Sequence, residues 1–271
     1  MEKTTLFYVI ILILVVQYIL HQILEYLNAQ RFDSKVPKEL EDVFDSTEYQ
    51  KSQQYKRTNY TFGTISDGFS LLITLAFLLL GGFEWLDQIT RSITDSPIAM
   101  ALVFFGFIGL GNSIIGIPFS YYQTFVIEEQ YGFNKTTRKL FLLDKLKAGV
   151  LTAIFGGGIL TLFILFHQWT GPNFWIYTWI MAAVVVLFMN LFYSRLIVPL
   201  FNKQTPLREG SLKAAIENYA KNVGFELQHI FVIDGSKRST KANAYFSGFG
   251  REKRITLFDT LINDLSEEEI V

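Results

Sequence analysis

The first residues in this chain that could do chemistry are polar side chains set inside apolar stretches. Gln17, His21 and Glu25 recur every four positions within a run of Leu, Ile and Val, so on a helix they share one face, with Gln22 and Asn28 close by. Asn112 and Ser113 interrupt a second apolar run, and Asn190 interrupts a third. Such groups are costly in hydrocarbon and face protein or a water-filled space. Two arrangements satisfy them: hydrogen bonds between helices of a bundle, or a hydrated chamber lined by Gln17, His21, Glu25, Asn112 and Asn190. Short-range metal ligation does not fit this spacing, because His21, His167 and His229 stand far apart and are the only three histidines. With no Cys, thiolate metal sites and disulfides are excluded.

The elements that carry these groups are membrane spans. Half of the residues are hydrophobic, 26 are Phe and 18% are charged, which excludes a disordered chain. A span needs roughly 20 mostly apolar residues. Five segments meet that need, at about Leu6–Leu27, Gly68–Trp85, Ile98–Tyr121, Leu146–Trp169 and Phe174–Tyr193. The first reads as a signal anchor, being too long for a cleaved h-region and followed by no small-residue cleavage site. Gly106, Gly109, Gly111 and the run Gly156–Gly158 are expected where helices approach closely.

Lys and Arg set the orientation. Arg31, Lys35, Lys38, Lys51, Lys56 and Arg57 fall between spans one and two, and Lys135, Arg138, Lys139, Lys145 and Lys147 between three and four. The other two loops carry only Arg91. Basic loops stay cytoplasmic, so the N-terminus is expected outside and the C-terminus in the cytoplasm. Balanced charge, 24 basic against 25 acidic residues, gives no pull toward nucleic acid. A lipid bilayer is the expected partner, and the oligomeric state is not legible.

From about Val198 the chain changes character. Pro199 and Pro206 bracket a linker, and Ser211 is a plausible N-cap for a helix whose apolar stripe runs Leu212, Ala215, Ile216, Tyr219, Ala220 and Val223, stopped by Gly224. Segments 229–234 (HIFVID), 242–247 (ANAYFS) and 254–258 (RITLF) read as strands, the last two joined through Gly248-Phe-Gly250, and a helix follows at Asp259–Asp264. Lys237, Arg238, Lys241, Arg251, Lys253 and Arg254 form a solvated basic face near anionic lipid. Ser266-Glu-Glu-Glu269 is a capping box, with Leu265 and Ile270 as a hydrophobic staple. The expected fold is thus mainly α, a polytopic bundle of five spans over residues 1–205, followed by a small cytoplasmic α/β module over 206–271, incomplete at its C-terminus.

Three segments carry a resemblance: 128–137 (EEQYGFNKTT), 197–202 (IVPLFN), and 243–250 (NAYFSGFG) running into 253–261 (KRITLFDTL). Together and in this order they resemble the type I CAAX prenyl endopeptidases, integral-membrane zinc metalloproteases, over essentially the whole chain. The resemblance implies that the N-terminal spans form part of a large intramembrane chamber. It also implies that the NAYFSG-like strand lies beside the active site, where an extended substrate can pair with it. By that resemblance Asn243, Ala244, Tyr245 and Phe246 are substrate-side residues, with an ordinary core strand as the alternative for Ala244 and Phe246. Peptides or prenylated tails are the implied substrates.

One departure is large. Members of that family continue into a helix bearing His-Glu-x-x-His, whose histidines ligate zinc while the Glu acts as base, and a further Glu ligand comes later. No histidine follows His229 and no His-Glu pair occurs. The chain is therefore expected to be the N-terminal portion of a zinc endopeptidase, truncated before that helix. It is expected to bind no zinc and to be inactive alone, with zinc belonging to the complete family member. The alternative is a non-catalytic membrane scaffold or partner subunit. Missing sorting signals and missing Cys lean the expected compartment toward a bacterial inner membrane.

Overall fold

The computed structural model describes residues 3–32, 35–38, 42, 45–248 and 253–271. Contacts divide the chain into two compact units, Met1–Tyr131 and Gly132–Val271.

The first unit is helical: α1 (Lys3–Ala29), α2 (Ser46–Leu79), α3 (Gly82–Ile93) and α4 (Pro97–Tyr122), the last continuing into a π-helical turn at Gln123–Glu128. α2 begins well before its apolar part because Asp45 caps it, accepting from the N–H groups of Thr47 and Glu48 and so satisfying two of its orphan donors. Those bonds, the one from Glu48 first, hold the Asp45 carboxyl below its ordinary range. The second span does not reach Trp85. It stops at Leu79, and Gly81 at φ 74 turns the chain into α3, a conformation that costs glycine little. The expected glycine contacts are not found, since a Cβ placed at Gly106, Gly109, Gly111, Gly156 or Gly158 would meet nothing within 4 Å. The notch between α1 and α2 lies instead at Gly68, which faces the Tyr18 hydroxyl.

The second unit opens with α5 (Arg138–Thr170), capped by the Thr137 hydroxyl accepting from Leu140 N–H. A 3₁₀ turn at Gly171–Asn173 leads into α6 (Phe174–Phe192), a π-helical turn at Tyr193–Ile197 and α7 (Val198–Phe201). α5 and α6 form an antiparallel hairpin. Phe163 meets Phe174 edge to face at 5.8 Å near the turn, and Lys147 Nζ donates to the Leu200 carbonyl at 2.7 Å at the open end. This alters the span count. Among the described residues, four continuous helical stretches are long and apolar enough to cross a membrane, Thr5–Ala29, Ser46–Leu79, Pro97–Glu128 and Arg138–Phe201. The expected fourth and fifth spans are the two arms of that last stretch, α5 and α6, joined by the tight turn at Gly171–Asn173, where Gly171 takes φ 54.

Beyond α7 stands a four-stranded sheet of order β1-β2-β4-β3. Its strands are β1 (Gln204–Pro206), β2 (His229–Ile233), β3 (Ala244–Ser247) and β4 (Arg254–Phe258). β1 replaces the expected linker; its Pro206 is tolerated because β1 is an edge strand. α8 (Ser211–Asn222) packs Ile216 against Ile230 and Leu257 to make the core, with Leu212, Leu227, Ile255 and Ile262 around it. Ser211 is not the cap; Gly210 takes that position, and the Ser211 hydroxyl donates to Glu267 Oε1 at 2.6 Å. Gly224 at φ 69 ends the helix as the stripe requires.

α9 (Asp259–Asp264) and α10 (Glu267–Ile270) follow β4. The Ser266–Glu269 capping box forms, Ser266 N–H donating to Glu269 Oε2 at 2.8 Å, which holds the Glu269 carboxyl below its ordinary range. The expected turn through Phe249 and Gly250, and Arg251 beside it, lie outside the described residues.

Candidate functional site

The strand predicted to meet substrate sits at the rim of the sheet. Among the described residues, β3 pairs with β4 alone, antiparallel, with Ala244 opposite Leu257, Tyr245 opposite Thr256, Phe246 opposite Ile255 and Ser247 opposite Arg254. Phe258 N–H donates to the Asn243 carbonyl at 3.0 Å, which marks that pair as hydrogen-bonded. Bonded and non-bonded pairs alternate in an antiparallel ladder, so Ala244 and Phe246 turn their main-chain groups away from β4, toward the open edge. Asn243 Oδ1 already accepts the Ala244 N–H at 2.9 Å. Its amide side chain thus sits on the rim and not in the core.

Side chains alternate across this strand. Ala244 is exposed and Phe246 is 71% exposed, its ring touching Phe225 edge-on at 5.7 Å, so neither behaves as a core residue. Tyr245 and Ser247 point to the other face. Their hydroxyls are buried with no hydrogen-bond partner among the described residues, although Tyr245 does pack its ring against Phe258. Two adjacent orphan hydroxyls are an uncommon cost in a folded chain. Thr256, wholly buried, lies beside Tyr245 on the same face, and Gln204 Nε2 reaches from β1 to the Ser194 hydroxyl in the π-helical turn at 3.3 Å.

Two of the segments behind the resemblance meet at Arg238. Its guanidinium pairs with Asp144, Nε to Oδ2 at 2.8 Å and Nη2 to Oδ1 at 3.0 Å, while Nη2 also donates to the Phe201 carbonyl at 2.7 Å. Its own carbonyl accepts from Lys135 N–H and the Thr136 hydroxyl. Asn202 and Lys203 N–H both bond the Asp234 carboxylate. The solvated basic face expected here holds only in part: Lys237 and Lys241 are exposed, whereas the other described cations are drawn in. Arg238 is engaged and mostly buried, Arg254 is buried over the Phe231 ring, Lys241 lies over Phe133, and Lys253 lies over Phe225. Fork geometry suits Arg to such a junction, which binds carboxylate and carbonyl together.

In the first unit, His21 and Glu25 line a cavity of about 390 Å³ between α1 and α2, together with Gln22, Tyr55, Asn59 and Asp67. Asp67 Oδ2 lies 3.3 Å from His21 Nε2 and accepts from Gln22 Nε2 at 3.3 Å. Below them Glu128 Oε1 accepts from the Tyr55 hydroxyl at 2.5 Å, Gln123 donates to Asn59 Oδ1 at 2.8 Å, and Thr58 and Tyr131 share a hydroxyl contact at 2.7 Å. Of the other lining candidates, Gln17 lies in a groove formed by α1 residues only, Asn112 is exposed, and Asn190 donates to the Val186 carbonyl of its own helix. Sequence reasoning missed Asp67, Tyr55 and Asn59. Their signal was available: an Asp at 45 and a Glu at 48 announce a helix start, which would have placed all three on α2.

Among the described residues no three of His, Asp and Glu gather closely enough to hold an ion. His21 faces Asp67, His167 packs against Phe174 and His229 against Phe231.

Helices of spanning length followed by a small four-stranded α/β module describe a multi-pass membrane protein. The profile of CAAX prenyl protease N-terminal regions, with five membrane helices, matches residues 25–203, and that of peptidase family M48 matches 206–271. The chain belongs to the CAAX prenyl protease family, a family of M48 metallopeptidases. Among its relatives, CAAX prenyl protease 1 of Saccharomyces cerevisiae is 37% identical over 268 residues, covering 94% of this chain and 59% of the yeast protein. The mouse CAAX prenyl protease 1 homolog is 38% identical over 240 residues, covering 86% and 50%. The crystal structure of S. mikatae Ste24p superposes with a TM-score of 0.91 at 38% identity, over 97% of this chain and 64% of that one. The chain thus spans about half to three-fifths of the length of these curated relatives.

Proposed function

We propose that this chain supplies part of the intramembrane chamber (1–205) and, within the module over 206–271, the substrate-pairing strand β3 of a zinc metalloendopeptidase acting on peptides or prenylated tails. The observation that carries this reading is the edge position of β3, with the Phe246 main chain facing outward beside the rim amide of Asn243. An extended peptide adds to such an edge through its main chain, while alternate side chains are sorted by pockets. His21 and Glu25, on the α1–α2 cavity, are the chamber-lining pair this reading retains, with Gln17, Asn112 and Asn190 as further wall residues.

Hydrolysis is assigned to a zinc-bearing helix whose His-Glu-x-x-His residues are not among these 271; the chain alone binds substrate without cleaving it. The Lys and Arg distribution supports a cytoplasmic C-terminus. The relatives come from animals, fungi, plants and an amoeba, so nothing among them supports a bacterial membrane.

The test is binding of a fluorescent S-farnesyl peptide to the full chain in lipid nanodiscs. Phe246→Pro deletes the outward N–H yet leaves the β4 ladder intact, and it should weaken binding about tenfold more than Phe246→Ala. Peptides N-methylated at alternate amides should lose affinity in one phase only. Equal binding by every variant and every peptide would remove the strand from the site. Stoichiometric zinc with turnover in the purified chain would overturn the assignment of catalysis to other residues.

A further inference from the structure

We propose that α3 is an interfacial helix that embeds one apolar row in the headgroup boundary of the bilayer, on the side opposite the basic loops. Its sequence, GFEWLDQITRSI, places two apolar rows side by side. Leu86 and Thr90, 4% and 1% exposed, form the row that packs onto the protein, helped by Phe83, whose ring meets Phe77 at 4.9 Å and Phe104 at 6.3 Å. Trp85, Ile89 and Ile93 form the neighbouring row at i, i+4 and i+8. Among the described residues none covers the ends of that row: Trp85 is 61% and Ile93 56% exposed. Glu84, Asp87, Gln88 and Arg91 occupy the opposite side, where Arg91 Nε bonds Asp87 Oδ2 at 2.7 Å.

Two features fix lipid as the occupant of the second row. α3 is bounded by membrane-crossing stretches, α2 ending at Leu79 and α4 starting at Pro97, so its ends are tethered at the water–hydrocarbon boundary. Its open row also continues the exposed apolar surface of Leu79 and Leu80 at the end of α2. Twelve residues rise only about 18 Å, too short to cross. A strongly amphipathic helix with Trp on its apolar side lies in the interface plane. The polar side holds two acids against one base, so apolar burial drives the contact and anionic lipid is not required.

Gly82 sets the pose. A Cβ there would run into the Phe77 ring, so the first turn of α3 sits hard against the last turn of α2, and only a glycine permits it.

The absence of Cys makes the test direct. Single cysteines are introduced in the full chain as Trp85→Cys, Ile89→Cys and Ile93→Cys, and as Glu84→Cys, Gln88→Cys and Arg91→Cys. Each is labelled with a nitroxide and reconstituted in phosphatidylcholine vesicles. Collision with oxygen relative to a nickel chelate should be several-fold higher at 85, 89 and 93 than at 84, 88 and 91. A uniform ratio overturns the proposal, as does screening of 85, 89 and 93 from both agents, which would mean that protein covers them. A second readout keeps Trp85 in place: with Trp169→Phe, Trp175→Phe and Trp179→Phe, brominated acyl chains should quench its fluorescence, and quenching by aqueous iodide alone counts against lipid contact.

Discussion

Ile114 in α4 and Leu257 in β4 are large aliphatic residues in opposite situations. Ile114 is 68% exposed and Leu257 only 3%. The helical stretches turn their apolar side chains outward, where hydrocarbon takes the place of water, and no residue of α4 or α6 is buried. Cohesion between helices there comes from polar contacts such as Tyr55 with Glu128 and Gln123 with Asn59, and from local ring contacts such as Phe62 with Tyr122 and Phe69 with Phe119. The sheet module works the other way, closing Ile216, Ile230 and Leu257 away from solvent as a water-soluble domain does. The two regions therefore invert the meaning of an apolar residue: it is solvent contact in one and core in the other.

The comparison can be broken by substitution. The largest effect is expected at Leu257→Ala, where a cavity in the small core should destabilise the module by about 3 kcal/mol, read as lost amide protection across β2 and β4. Glu128→Ala comes next. It leaves the Tyr55 hydroxyl and Gln123 amide without that acceptor and should cost about 2 kcal/mol, read as a lower unfolding midpoint in detergent with the module unaffected. Ile114→Ala, an equally drastic truncation, should change stability by no more than about 0.5 kcal/mol; a Leu257-sized loss there would end the inversion argument.

The smallest effect is an acid one. Because the Glu269 carboxyl titrates below its ordinary value when the capping box is formed, that stabilisation is present above the unfolded value. It is lost as pH falls through the lowered one. Protection of the Ile270 amide, corrected for intrinsic exchange, should hold down to about pH 4 and then fall; loss near neutrality would contradict the box.

Fold class was legible because apolar runs long enough to span are unmistakable, and strands β2, β3 and β4 stood between clear turn residues. The span count was less legible, since only the three residues Gly171-Pro172-Asn173, with Gly171 at φ 54, separate the two arms of the last helical stretch. β1 was hidden by its shortness and by Pro206, and α3 by being read as the tail of a span. At the candidate site, the edge strand followed from resemblance and alternation, whereas Arg238 looked like any surface cation. Its partner Asp144 lies 94 residues away, and nothing local in a sequence encodes so distant a pairing.

That pairing bears on the order of synthesis. Asp144 stands near the start of the α5–α6 hairpin and Phe201 at its end, and Lys147 bound to Leu200 shows the two ends drawn together. Arg238 is made after both and grips both. Its anchorage therefore needs both ends of the α5–α6 hairpin side by side, so the sheet module is held to that hairpin only when its two arms run antiparallel.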